Sequence, residues 1–166
     1  QDFHLNPELS MQEYETSAKL ADHLRMLGFD VTIQVGGTGV VGILRNGDGL
    51  VAMLRADMDA LPVKEENKVP YASIKTGLDR TGKSVPLMHA CGHDLHVTCA
   101  LGAARLLASD PSAWKGTLMV VFQPAEETSE GARAMIADGF FDRFPKPDII
   151  LGQHVINTPL GSINLP

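Results

Sequence analysis

Disulfide chemistry is the first thing this sequence lacks the means for. Its 166 residues include only two cysteines, Cys91 and Cys99. That is too few for a disulfide framework, and the pair is badly placed to bridge if Cys99 lies within a helix. A reduced, cytoplasmic setting is therefore expected. Basic charge is also scarce: 14 Lys and Arg stand against 20 Asp and Glu, a net charge of −6. Such a balance offers no electrostatic footing for nucleic acid or an anionic membrane. No apolar run approaches the ~20 residues of a membrane span. The opening QDFHLNPELS lacks the basic and apolar blocks of a signal peptide. Internal repeats, low-complexity tracts and a clear linker are missing too. What is present is a chain 44% hydrophobic, long enough for one domain with a substantial core.

Strand and helix patterns alternate along it. Ser10 opens the capping-box pattern Ser-Met-Gln-Glu, and a helix is predicted over residues 11–27. Ala18, Ala21, Leu24 and Leu27 recur at helical spacing, and Gly28 supplies the stop. Residues 40–44 and 50–54 read as short strands around Asn46-Gly47-Asp48-Gly49, a strong hairpin signal. A second helix is predicted over residues 95–108, with Val97, Ala100, Leu101, Ala104 and Leu107 on one face. Residues 117–122 form a β-rich run of the kind buried on both faces. Residues 131–138 read as a short helix ended by Gly139, and residues 148–151 as a further buried strand. Residues 62–88 show no sustained period, and a loop that long is usually functional or disordered. Because it runs into the polar cluster described next, it is expected to rim an active site. The expected fold class is α/β, a three-layer sandwich with a mixed, mostly parallel sheet.

The densest chemistry lies in MHACGHDLH, residues 88–96. Cys91 and His93 stand two apart, so an extended backbone would point both the same way, with His89, Asp94 and His96 beside them. Thiolate plus imidazole suits zinc or a similar first-row ion rather than magnesium or calcium. A lone Cys-x-His would be better read as an inert loop, but three other segments weigh against that. VAMLRADMDALP ends an apolar strand with Asp57 and Asp59, TLMVVFQPAEE ends another with Glu126 and Glu127, and DIILGQHV ends with Gln153 and His154. Ligands of open α/β sheets bind beyond the carboxyl ends of strands. Three apolar strands each ending in carboxylate or imidazole are hard to explain as solvated surface.

Cys91, His93, Glu127 and His154 supply S, N, O and N donors, enough for one metal site or a share of two. Two close ions could polarise a carbonyl and lower the pKa of a bound water from 15.7 to about 7. Adjacent carboxylates suit a division of labour, one binding metal and one free as general base and acid. Asp57, Asp59 and Asp94 are candidates to orient a histidine from behind. His89 and His96 are weaker candidates for direct ligation. His4 and His23 read as surface residues, Cys99 as packed core, and Trp114 as a packing residue at a helix–strand junction.

LRADMDALPV, MHACGHDLHVTCALGAARLL, VFQPAEETSEGARAMIADG and GQHV resemble, in order and spacing, the metal-dependent amidohydrolases of the aminoacylase and carboxypeptidase superfamily. HLNPELSMQE is similar to the branch containing N-acyl-amino-acid amidohydrolases, hippurate hydrolases and indole-acetyl-amino-acid hydrolases. The resemblance covers essentially the whole chain. It implies a zinc-peptidase-like catalytic domain that hydrolyses the amide joining an acyl group to an amino acid, using two divalent ions, zinc or manganese. It implies Cys91, His93, Glu127 and His154 as metal ligands, Glu126 as catalytic base and acid, and Asp59 as a residue behind the metals. Residues 1–166 are then expected to be the N-terminal part of the catalytic domain. A dimerisation and lid domain, a last metal-binding histidine and a homodimeric full-length protein are expected with it. Asn157 stands where relatives often have proline, read as loop variation. The expected substrate is a small N-acyl amino acid or short peptide. Two alternatives are a dipeptidase or carboxypeptidase of the same superfamily, and a metal- or protein-binding module without turnover. Glu126 argues against the module, since a purely structural metal site has no use for a free carboxylate.

Overall fold

A computed structural model describes residues 1–163, and strand β6 (Gly116–Gln123) lies at its centre. Leu118, Val120 and Phe122 enter one apolar cluster, Met119 and Val121 the other, as a two-residue period requires when both faces are covered. The other strands of this sheet are β1 (Asp30–Val35), β2 (Gly39–Asn46), β3 (Val51–Asp57) and β7 (Ile149–Gly152), in the order β1-β2-β6-β3-β7. β2 runs antiparallel to both β1 and β6, while β3 is parallel to β6 and β7. Four strands therefore point one way and β2 the other, a mixed, mostly parallel sheet. Two further short strands, β4 (Thr76–Leu78) and β5 (Ser84–Pro86), pair as a separate ribbon within the segment that showed no period.

Helices complete three layers. On one face α2 (Tyr14–Met26) and α3 (His93–Ser109) bring Leu20, Leu24, Val97 and Ala104 against Val40, Ala56, Val120 and Phe122. On the other, Met135 of α4 (Gly131–Ala137) and Phe140 of α5 (Phe140–Arg143) cover Val41, Ile43, Met53 and Met119. Each large apolar side chain fully buried here contributes roughly 1.5–3 kcal/mol. A Cβ on Gly42 would approach Leu24 Cδ1 to 2.6 Å, so glycine lets α2 settle directly on β2. A short helix α1 (Asp2–Leu5) precedes these elements.

Three expectations are corrected. β2 and β3 are not a hairpin, because β6 lies between them. The Asn-Gly-Asp-Gly turn instead serves a wide connection across the start of β6. Asn46 Nδ2 donates to the carbonyls of Pro111 and Trp114 at 2.6 and 2.7 Å, and Thr117 N–H donates to Leu50 O at 2.9 Å. Ser10 does not cap α2: the helix starts at Tyr14, and the Glu8 carboxylate accepts the Glu15 and Thr16 N–H groups at 3.1 and 2.7 Å. β7 is present but exposed, with Ile149, Ile150 and Leu151 at 46, 55 and 55% accessibility. Among the described residues only β3 pairs with it.

Candidate metal centre

The site forms where β3, β6 and β7 end and α3 begins. Gly92, in the left-handed conformation at φ 78°, turns the chain into α3, so Cys91 and His93 are presented from a turn and a first helical residue. The extended geometry expected of that pair is not what brings them together. His93 is fully buried. Its Nδ1 lies 2.9 Å from the Asp59 carbonyl oxygen, which can only accept, so Nδ1 carries the proton and Nε2 keeps a lone pair. His93 Nε2 has no hydrogen-bond partner and stands 3.8 Å from Glu126 Oε2 and 4.0 Å from Glu127 Oε1. Donor residues gather around His93 in three groups, Cys91–His93–His154, Asp57–His93–His96 and His93–Glu126–Glu127, the ligand atoms of each group within 4.8 Å of one another.

The surroundings fix these side chains. Asp59, also buried, accepts Ser10 Oγ–H at 2.6 Å and Glu127 N–H at 3.1 Å on Oδ2, while Oδ1 lies 3.4 Å from His93 Nδ1. Arg55 Nη1 donates to Asp57 at 2.7 Å, and its Nε and Nη2 donate to Gln123 Oε1 at 3.0 and 2.8 Å. His96 belongs to the site in a role that the sequence did not suggest. Val155 N–H donates to its Nε2 at 3.0 Å, which takes that lone pair and ties the backbone beside His154 to α3. His93 and His96 are three apart, one helical turn, and that spacing was the available signal.

The electrostatics are those of donors crowded together. Burial pushes the Asp57 carboxyl up to about 6, against the opposing pull of Arg55. The Glu127 carboxylate beside it, and then burial, push the Cys91 thiol up to about 11. Burial, with His154 adding to it, lowers His96 to about 4, and burial lowers His89 to about 4. Burial acts downward on His93 as well, but the Asp59 carboxylate raises it overall. Thiol, carboxylates and imidazoles crowded around the buried His93, with His93 Nε2 and Glu127 Oε1 unpartnered, form an environment that a divalent cation relieves. The residues therefore fit a metal. A cleft of about 560 Å³ lined by Tyr71, His89, Cys91, Leu95 and His154 opens beside them, within the range of small-molecule sites.

Not every sequence candidate reaches this centre. Asp94 instead accepts from His4 Nδ1 at 2.9 Å, and His4 Nε2 donates to Glu65 at 2.9 Å. His4, read as a surface residue, is thus held between two carboxylates. Cys99 is exposed rather than packed, because it lies on the solvent side of α3. Trp114 does pack at the junction of α3 and β6, its Nε1–H donating to Leu107 O at 2.9 Å. Both cysteines are free thiols.

Fold and donor set together define a metallohydrolase-type α/β domain. The model of peptidase family M20/M25/M40 matches residues 53–164, and the chain belongs to that family. It is 45% identical over 160 residues to the hippurate hydrolase of Campylobacter jejuni subsp. jejuni, covering 96% of this chain and 38% of that protein. It is 40% identical over 166 residues to the N-acetyl-L-cysteine deacetylase of Bacillus subtilis, covering 98% of this chain and 36% of that protein. The YXEP protein of Bacillus subtilis, described as a dinuclear metal binding peptidase, superposes with a TM-score of 0.79 at 37% identity, over 92% of this chain and 40% of that one. The chain thus spans well under half the length of these relatives.

Proposed function

We propose that this chain carries the metal centre of an amidohydrolase that cleaves N-acyl amino acids, with Glu126 as general base and acid. The observation that carries the reading is the convergence of thiol, imidazole and carboxylate donors around His93, whose Nε2 is unpartnered. Cys91, His93, Glu127 and His154 are the proposed ligands of two divalent ions, zinc or manganese; sulfur favours zinc and the carboxylates accept either. When bound, such ions polarise the amide carbonyl and make hydroxide available at neutral pH. Asp59 orients His93 from behind. Glu126 has a side chain 41% exposed, against 15% for Glu127, so it is the carboxylate that stays reachable. It takes the proton of the attacking water and returns it to the nitrogen as the C–N bond breaks, releasing an acid and a free amine.

The names of the Campylobacter and Bacillus relatives support N-acyl amino acids as substrates. A second reading, cleavage of short peptides, draws support from 44% identity over 156 residues to thermostable carboxypeptidase 2 of Saccharolobus solfataricus. The 38% coverage of the first relative supports reading residues 1–166 as the N-terminal part of the catalytic domain, completed in the whole protein by a lid and dimerisation domain and by a last histidine ligand. On this reading the whole protein is a homodimer. Two free thiols fit a cytoplasmic setting, and the net charge of −6 does not favour a polyanionic partner. No helix among the described residues is long and apolar enough to cross a membrane.

The test is metal content by elemental analysis, with hydrolysis of N-acetyl amino acids, benzoylglycine and free dipeptides, on the full-length protein. Cys91→Ala should lose metal. Glu126→Gln should keep it and lose about 10²- to 10⁴-fold in kcat. Full metal content in Cys91→Ala, or undiminished turnover in Glu126→Gln, refutes the corresponding assignment. Faster turnover of free dipeptides than of N-acyl amino acids favours the second reading.

A further inference from the structure

We infer that Glu13 is a positioning residue for the turn that carries Glu126 and Glu127, an inference that rests on the roles proposed above for those two carboxylates. Glu13 is completely buried. A carboxylate taken out of water is retained only where hydrogen bonds compensate it. Glu13 stands immediately before α2, at the N-cap, yet its side chain makes no capping bond to its own helix. Both oxygens reach other elements instead. Oε1 accepts the Ala125 N–H at 2.8 Å, across 112 residues of sequence, and Oε2 accepts the Thr38 hydroxyl at 2.5 Å.

The peptide it holds is a costly one. Ala125 adopts φ 47°, in the left-handed region where a residue with a Cβ loses roughly 1–2 kcal/mol. The Ala125 carbonyl then accepts the Glu130 and Gly131 N–H groups, each at 3.1 Å, which closes the turn onto the start of α4. On the other side of Glu126, the Glu127 N–H donates to Asp59 at 3.1 Å. The N–H groups of the residues on either side of Glu126 are thus each tied to a buried carboxylate, Ala125 to Glu13 and Glu127 to Asp59. Held between these two ties, Glu126 Oε2 and Glu127 Oε1 stand 3.8 and 4.0 Å from His93 Nε2. Without the Glu13 tie, one end of this turn loses its anchor to the N-terminal segment, and the two carboxylates lose a fixed direction.

Glu13→Ala, Glu13→Asp and Glu13→Gln in the full-length protein test this. Zn²⁺ affinity is measured by competition with a chromophoric chelator, beside kcat, KM and the melting of the metal-free form. Aspartate keeps the charge but is one methylene too short to reach Ala125, whereas glutamine keeps an acceptor at that distance. Folded Glu13→Asp and Glu13→Ala should each lose about tenfold or more in Zn²⁺ affinity and in kcat, with KM within about threefold, and Glu13→Gln should recover most of both. A lower melting temperature with wild-type affinity and kcat in folded Glu13→Asp would show a merely structural role and overturn the inference. If Glu13→Ala does not fold, Glu13→Asp and Glu13→Gln decide it. Cys91→Ala in the same series separates the two levels. Should it bind metal as wild type does, the site reading falls and this inference with it. Should it lose metal while folded Glu13→Asp behaves as wild type, the inference alone falls.

Discussion

Replacing Asp59 by asparagine removes a charge from behind the metal centre while keeping the shape that fills the space. The structure says what would survive. The new amide oxygen can take over the role of Oδ2 and accept from Ser10 Oγ and Glu127 N–H, at 2.6 and 3.1 Å in the wild type. Its NH₂ then occupies the Oδ1 position, 3.4 Å from His93 Nδ1, where two donors face one another. The His93 tautomer is unaffected, because Nδ1–H still donates to the residue-59 backbone carbonyl at 2.9 Å, so Nε2 keeps its lone pair and its direction. The negative charge is what disappears. The same field that raises the affinity of His93 for a proton also raises it for a cation. Losing such an outer partner costs about 10- to 100-fold in metal affinity, or about 1.4–2.8 kcal/mol. Metal-free stability should change much less, by about 1 kcal/mol either way. The two retained hydrogen bonds weaken when they no longer meet a charge, and relief of a buried carboxylate offsets that loss. Chelator competition and chemical denaturation of the metal-free form read the two quantities separately. Asp59→Asn with wild-type metal affinity would refute the role assigned to Asp59. A variant that loses metal only because it no longer folds would refute it equally, by making Asp59 a residue of the fold.

The His4 ion pairs and the Gly131 approach give two further predictions. Burial acts to lower His4, but hydrogen bonds to Glu65 and Asp94 raise it above the ordinary 6.5, so the folded protein binds this proton more tightly than the unfolded chain does. The contribution is complete below the unfolded value and is lost as pH rises through the raised one. Urea midpoints should therefore fall more from pH 6 to 9 in the wild type than in His4→Gln, and parallel profiles would refute the pairing. A Cβ on Gly131 would lie 1.6 Å from Pro124 O, so Gly131→Ala must displace the turn carrying Glu126. About 1–3 kcal/mol of stability should be lost, with weaker metal binding; an unchanged melt would show that residues 124–131 do not close as described.

What local rules can and cannot see in this chain is set by the sequence distance between bonded groups. The runs ending in Asp57, Gln123 and Gly152 were legible because a strand's period and its polar end are written in consecutive residues. All three strands lie in one sheet with those ends together. Glu126, Glu127 and His154 could be gathered from sequence for that reason, Cys91 and His93 from their own dense cluster, and the motif resemblance agrees with the family match over residues 53–164. The errors arose where a strong local signal competed with a distant partner. Asn46-Gly47-Asp48-Gly49 has the composition of a tight hairpin, yet β2 bonds seven residues of β6, from Val40↔Phe122 to Asn46↔Gly116, and no local rule sees those pairs. Residues 10–13 fit a capping box, yet Ser10 binds Asp59, 49 residues away, and Glu13 binds Ala125, 112 residues away. A cap contributes about 1 kcal/mol and can be replaced, here by Glu8. Buried Asp59 and the Ala125 peptide have no water to turn to, so their demand for partners outweighs the cap. The polar residues that broke the local rules are those now holding the carboxylate turn in place, which is where competition between local preference and a functional site should be resolved in favour of the site.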